Sequence, residues 1–191
     1  MHDRRAILIS EHVLFRQGIA ELLGDAGFAV TVAARIEQVR TRHAEVTVLD
    51  LDHALDDGQR LVQRLHDQVP KAAIVALGTP LRLAATADGI SDIEVDTSRA
   101  DASTLVAAVK GRSVAASPEL ARMHRQWAQV TRRQRDVLRW LAIGCDNRAI
   151  ARPLRVGEGA VKAHVSALLQ HFDLATRAQL ALLAHDAGLR P

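Results

Sequence analysis

Residues Val156–Phe172, VGEGAVKAHVSALLQHF, constrain this chain more than any other stretch. Val161, Val165, Leu168, Leu169 and Phe172 recur at intervals of mostly three and four, the period of one helix face. The opposite face carries Gly159, Lys162, Ala163 and Ser166, a single cation among short side chains. A face turned only to water normally carries longer polar groups of mixed charge. A short-chained face with a lysine can approach a flat partner closely, and a DNA major groove admits such a helix.

The preceding residues supply the scaffold for that helix. Thr131 and Gln134 form a capping box, a helix start. Val137, Leu138 and Leu141 make the apolar stripe of this helix, and Gly144 ends it. Asp146 caps a second, short helix from Asn147 to about Arg152, with Ile150 and Leu154 inward. Pro153 is expected to end it early, because its ring opposes the carbonyl of Ala149. A tight turn, Arg155–Gly157, enters the opening stretch, completing the order of a helix-turn-helix. The pattern Val130-Thr131, Arg133, Val137-Leu138, Leu141-Ala142, Gly144, Asn147, Ile150-Ala151, Leu154, Glu158-Gly159, Val161-Lys162, His164-Val165 and Arg177 resembles the LuxR-type helix-turn-helix of NarL/FixJ response regulators, at ungapped spacing.

That resemblance implies double-stranded promoter DNA as a partner, met by Lys162, Ala163, Ser166, Asn147, Arg148 and Arg155. Two hydroxyls usual in the family are lost at Gly157 and Ala160, and Arg148, Arg152 and Arg155 are placed to compensate through phosphate contacts. The last helix, Thr176 to about Ala187, has an apolar stripe at Leu180, Leu183 and Ala184. In relatives this element helps pair two modules, so the resemblance implies a homodimer reading two half-sites.

Charge divides the chain. Residues 1–112 hold 13 Lys and Arg against 16 Asp and Glu, a net −3, whereas 113–191 hold 12 against 6, a net +6. The basic excess coincides with the helix-turn-helix, where a polyanion would meet it. Cys145 is the lone cysteine, so an intramolecular disulfide is excluded. With no membrane span or signal peptide in the sequence, the expected setting is cytoplasmic, without a membrane partner. The nine histidines show no metal spacing; His164 and His171 share a helix without a nearby acid or cysteine. No nucleophile elbow, phosphate-cradling loop or Cys-His pair appears, so no enzyme is expected. Trp127 and Trp140 sit among apolar neighbours and read as core.

Before Gly111 the pattern changes. Apolar runs at Ala6–Ser10, Phe28–Ala33, Val46–Asp50, Ala72–Leu77 and Asp92–Val95 read as strands. Helical stretches at Val13–Ala26, Ile36 to about Arg42, Gly58–Val69, Leu81–Ala87 and Ser103–Lys110 alternate with them. The expected fold is an α/β doubly wound, five-stranded parallel sheet followed by a small all-α domain. The expected units are 1–112, a linker at 113–129 with a short helix opening at Pro118, and 130–191.

This first unit resembles a CheY-like receiver. Asp50-Leu51 and Asp57-Gly58 match its acceptor strand and loop, which puts Asp50 at the phosphoacceptor position and a histidine kinase among the implied partners. The resemblance also implies a Mg²⁺ site, here at Glu11 and Asp50. Ser10 replaces the second metal acid, Gly78 the hydroxyl residue (with Thr79 one late), Asp96 the lysine and Ala54 the proline. Phosphoryl transfer relies on positioned cations, so a phosphoryl on Asp50 is expected to meet an anion at Asp96. Two readings follow: a regulator phosphorylated at Asp50 with weakened switching, or a degenerate receiver controlled by a ligand, a protein partner or oligomerisation. The residues favour the second. The rival from another class is a protein-interaction module with vestigial DNA binding.

Overall fold

The computed structural model describes residues 4–41, 43–54, 56–86, 91–112 and 114–191. Its first half runs β1 (Arg4–Ile9), α1 (Val13–Asp25), β2 (Phe28–Ala33), β3 (Val46–Asp50), α2 (Gly58–Gln68), β4 (Ala73–Gly78), α3 (Pro80–Thr86), β5 (Ile93–Asp96) and α4 (Ala102–Val109). The strands pair in parallel in the order β2-β1-β3-β4-β5. Strands covered on both faces need near-continuous apolar runs, split by alternation between two cores. Ala6, Leu8, Val48, Val75 and Leu77 pack with Leu23 of α1 and Leu105 of α4. Ile7, Ile9, Leu49, Ile74 and Ala76 pack with Leu65 of α2 and Leu83 of α3. The strand order reverses at β1 and β3, so a crevice opens beyond their carboxyl ends.

The helix expected from Ile36 is only a 3-10 turn, Ile36–Gln38; its expected end, Arg42, lies outside the described residues. Two side chains explain the early stop. Gln38 folds back to accept the Ala34 N–H at 2.8 Å, and Gln68 of α2 donates to the Val39 carbonyl at 2.7 Å. The Val39 carbonyl thus serves α2 instead of a next helical turn. Helix α3 begins at Pro80, a residue suited to a first turn; Ala87, the expected end, lies outside the described residues.

The second half is helical: α5 (Pro118–Trp127), α6 (Arg132–Ala142), α7 (Asn147–Leu154), α8 (Glu158–His171) and α9 (Arg177–Asp186). Capping boxes open α6 at Thr131/Gln134 and α9 at Thr176/Gln179. Leu138, Leu141, Ile150, Val161, Leu168 and Leu180 build one core. Helix α5 joins the two halves: Leu120 packs with the sheet's α2–α3 side, and Trp127 enters the helical core 5.2 Å from the Phe172 ring. Pro153 does not end α7 early; the helix runs through it to Leu154. The closing bonds bypass its missing donor, because Arg155 N–H reaches the Arg152 carbonyl at 3.1 Å and Val156 N–H the Ala151 carbonyl at 3.1 Å. Ala149 is exposed, so water can satisfy the carbonyl that Pro153 leaves without a helical donor.

Candidate functional site

Helix α8 buries Val161, Val165 and Leu168 and exposes Gly159, Lys162, Ala163 and Ser166. Gly157 at its N-cap makes no side-chain bond, so the first turn carries bare backbone donors and a favourable end for an anion. Asp146 caps α7 through the Ala149 N–H at 2.7 Å. Arg155 ends α7 in the left-handed region at φ 53°, a place usually taken by Gly or Asn. The strained choice keeps a cation at the turn. Arg148, Arg152 and Arg155 are exposed and line, with Gly157 and Glu158, a shallow groove of about 460 Å³ at the start of α8. Glu158, Lys162 and Ser166 are four residues apart, so that edge continues along α8.

Of the residues expected to meet DNA, Lys162, Ala163, Ser166, Arg148 and Arg155 are exposed. Asn147 is half-buried, and its Oδ1 accepts from Arg177 Nη1 at 2.8 Å, which ties the start of α7 to α9. The expected pairing stripe needs correction. Leu180 and Ala184 are 0% exposed in the chain's own core, and Leu183 packs against it. The stripe that looked available is what fastens α9 to α6; the large apolar side chain that α9 turns outward is Leu182, 60% exposed.

At the carboxyl edge of the sheet, Asp50 is 1% exposed. Its Oδ2 accepts from Ser10 Oγ at 2.6 Å and meets His53 Nδ1 at 2.7 Å; its Oδ1 accepts the His53 N–H at 3.3 Å. The His53 ring, 4.6 Å from that of His12, covers the carboxylate. Glu11 faces Arg35 at 3.4 Å. Ser10, Glu11, Arg35, Asp50 and Asp56 line a hollow of only about 20 Å³. Among the described residues no group of three or more His, Cys, Asp or Glu could hold a metal ion. With Asp50 engaged by Ser10 and His53 and Glu11 facing an arginine, these donors do not fit an octahedral magnesium site.

Asp96 ends β5 opposite Gly78, but its side chain is taken up by the residues that follow. Its carboxylate accepts the Ser98 N–H at 3.0 Å and Ser117 Oγ at 2.8 Å, so it fixes the residue that caps α5. The anion that closes the strand ends is Asp52, whose Oδ1 accepts the Thr79 N–H at 2.7 Å and whose Oδ2 accepts Thr97 Oγ1 at 2.6 Å. A cation does approach, from α3: Arg82 Nη1 donates to the Leu51 carbonyl at 3.0 Å. Burial lowers its pKa, while Asp52 and, less strongly, Asp50 raise it. Nothing in the local sequence marks Arg82 or Asp52, whose partners lie 27 to 45 residues away, whereas His53 reaches Asp50 from three residues on, a local signal that the receiver pattern does not weigh.

Arginines also join the halves. Arg139 of α6 donates from Nε to Asp57 at 3.0 Å and from Nη2 to Gln59 at 3.1 Å. Arg135 donates to the Ala85 carbonyl of α3 at 2.8 Å, and Arg60 of α2 to the Pro191 carbonyl at 2.8 Å. Gly188 lies so close to Arg82 that a Cβ there would meet Nη1 at 2.4 Å.

Residues 128–184 match the family described as bacterial regulatory proteins, luxR family, so this segment is a LuxR-type helix-turn-helix. The chain is similar to the nitrate/nitrite response regulator protein NarL of Escherichia coli K12, 26% identical over 203 aligned positions and covering 94% of each. It is similar also to the uncharacterized transcriptional regulatory protein YhcZ of Bacillus subtilis 168, 25% identical and covering 94% of each. Among solved structures, RcsB of Salmonella enterica serovar Typhimurium, bound to promoter P1flhDC with phosphomimetic BeF3⁻, has the same fold. The TM-score is 0.64 at 18% identity, covering 97% of this chain and 99% of that one. The architecture is that of a DNA-binding response regulator, a receiver-type sheet followed by a LuxR-type module.

Proposed function

We propose that the chain regulates transcription by placing α8 in the major groove of promoter DNA, under a receiver that works without phosphate on Asp50. The observation that carries the first part is the exposed, short-chained face of α8, flanked by Arg148, Arg152 and Arg155, in a segment of the luxR family. Lys162 reads a base edge or holds a phosphate, Ala163 and Ser166 allow close approach, and the arginines contact the backbone and set register. Such cations contribute most of the affinity and make it fall with salt. RcsB, which shares the fold, is described bound to promoter DNA. A chain reading two half-sites would act as a homodimer; Leu182, not the buried stripe, is the apolar residue that α9 offers to a partner.

The second part rests on Asp50. A nucleophilic carboxylate must reach a phosphoryl donor, yet Asp50 is buried under His53 and held by Ser10. The donors at the ends of β4 and β5, Thr79 N–H and Thr97 Oγ1, already serve the Asp52 carboxylate. A phosphoryl group adds about −1.5 to −2 charges, and here it would compete with a resident anion for the same donors. It would gain little differential contact, and a ligand without such contact shifts no equilibrium. A histidine kinase and Mg²⁺ therefore have no part in this reading.

The test is incubation of the full chain with acetyl phosphate and Mg²⁺, read by intact mass, size-exclusion chromatography and DNA affinity, with Asp50→Asn as control. The expected result is no mass gain and unchanged regulation in the variant. A stable phosphoryl adduct at Asp50, with dimerisation or tighter DNA binding that Asp50→Asn lacks, refutes it.

A further inference from the structure

We propose that the cleft between α2 and α6 binds a small molecule carrying two or more adjacent phosphate groups. The cleft has a volume of about 720 Å³, within the range of about 300–1,000 Å³ typical of ligand sites. Four guanidinium groups line it: Arg60 from α2, and Arg132, Arg135 and Arg139 from one face of α6. Among the described residues, the acid in its lining is Asp136, which accepts from Arg139 at 3.1 Å. Counting also Asp57, the other partner of Arg139, two carboxylates face four cations, leaving a net +2. Like charges gathered in a partly enclosed space repel more strongly than in open water. A bound dianion would relieve this.

The residue type and its order favour phosphate. Guanidinium forks match phosphate oxygens in pairs. Arg135 is 5% exposed and held by the Ala85 and Trp127 carbonyls at 2.8 and 3.2 Å. Arg139 is held by Asp57 and Gln59. The floor of the cleft is thus pre-positioned, which lowers the ordering cost of binding. Arg60 and Arg132 are exposed and can close on a ligand from the two sides, Arg60 with the guanidinium donors that its Nη1 bond to the Pro191 carbonyl at 2.8 Å leaves over. Because α2 belongs to the sheet half and α6 to the helical half, a bridging anion favours this arrangement of the halves over any in which they part. The inference goes beyond DNA recognition by α8, and its readout needs no DNA.

The experiment titrates the full chain, freed of nucleic acid, with ATP, tripolyphosphate and orthophosphate by calorimetry at matched ionic strength. Saturable one-to-one binding of ATP and tripolyphosphate is expected, tighter than orthophosphate. A nucleotide site favours ATP over tripolyphosphate, and a bare phosphate-chain site does not. Arg60→Gln and Arg132→Gln should each weaken binding about ten-fold or more, the loss of one charge-assisted contact. Both residues are exposed, so the fold should persist by circular dichroism. Arg148→Gln, an equal charge loss at the DNA face, should stay within about two-fold, since Arg148 is exposed and does not line the cleft. Absence of saturation, or equal weakening by Arg148→Gln, overturns the proposal. So does a result in which Arg60→Gln and Arg132→Gln lose duplex DNA binding as Lys162→Ala does while no small anion binds; the cleft would then belong to the DNA path.

Discussion

Arg139→Met tests what holds the two halves together. Arg139 is 13% exposed at its side chain and Asp57 1%, so their 3.0 Å pair is only weakly screened by solvent. Removing one partner of a buried pair leaves an uncompensated charge, at a cost of about 3–5 kcal/mol. The lower end applies here. Asp57 keeps its other bond, as acceptor of the Arg60 N–H at 3.4 Å, and a small relaxation can admit water. The expected loss is therefore about 3 kcal/mol, with the methionine keeping most of the stem packing. Asp57→Asn removes the charge but retains a cap, so the double variant should recover about half of that loss, a coupling that only contacting residues show. The assay is urea unfolding of all four proteins, followed by circular dichroism and by Trp127 and Trp140 fluorescence. If the two probes separate in Arg139→Met but coincide in the parent, the pair couples the halves rather than stabilising α6 alone. A loss below about 1 kcal/mol, the size of a solvent-exposed pair, would refute the reasoning. Simple additivity in the double variant would do so equally.

Three further outcomes are expected. Lys162→Ala should weaken promoter binding by about 1–3 kcal/mol at fixed salt if the lysine reads a base; unchanged affinity in a folded variant removes Lys162 from the interface. Pro153→Arg should raise the melting temperature, by about 1 kcal/mol of stability, because it restores a donor for the exposed Ala149 carbonyl in a helix that already passes through this position; a lower melting temperature shows that the proline is the better fit. The third concerns acid. The Thr104 N–H, with the Thr104 and Ser103 hydroxyls, holds the Asp101 pKa down to about 2 from 3.8. A depressed carboxylate stabilises the fold above its unfolded value and loses that effect as pH falls through its folded one. The melting-temperature advantage of the parent over Asp101→Asn should thus be full above pH 3.8 and shrink toward pH 2; a constant gap across that window contradicts the assignment.

The elements legible in the sequence are those whose cause is local. The Thr131/Gln134 box, the Asp146 cap and the stripe Val161, Val165, Leu168 act within a turn or two, and α6, α7 and α8 follow them. Strand β3 matches its apolar run residue for residue, because burial on both faces admits no other pattern. The sequence is ambiguous where a residue has two possible uses. The stripe Leu180, Leu183, Ala184 suits a partner's helix or the chain's own core equally well. Only the placement of α9 against α6 decides for the core. The ring clash of Pro153 is a local property, whereas the length of α7 turns on where its closing bonds come from.

The carboxyl edge of the sheet shows the same limit in its charges. Alignment with the receiver pattern assigns Asp96 the lysine's place and so an anion beside Asp50. Strand register puts Asp96 opposite Gly78, where Ser98 and Ser117 take its oxygens. Its charge is spent on the start of α5. The cation and anion that do reach the Asp50 end, Arg82 and Asp52, occupy positions that carry no such role in the pattern. Arg82 bonds the loop after Asp50 and abuts Gly188 at the chain's far end, so one side chain links that edge to the residues after α9. Arg82, Arg135 and Arg139 bridge the two halves, each anchored in one and bonded or packed against the other. Their partners, backbone carbonyls and a capping carboxylate, are set by tertiary position, which is why no local motif announces them.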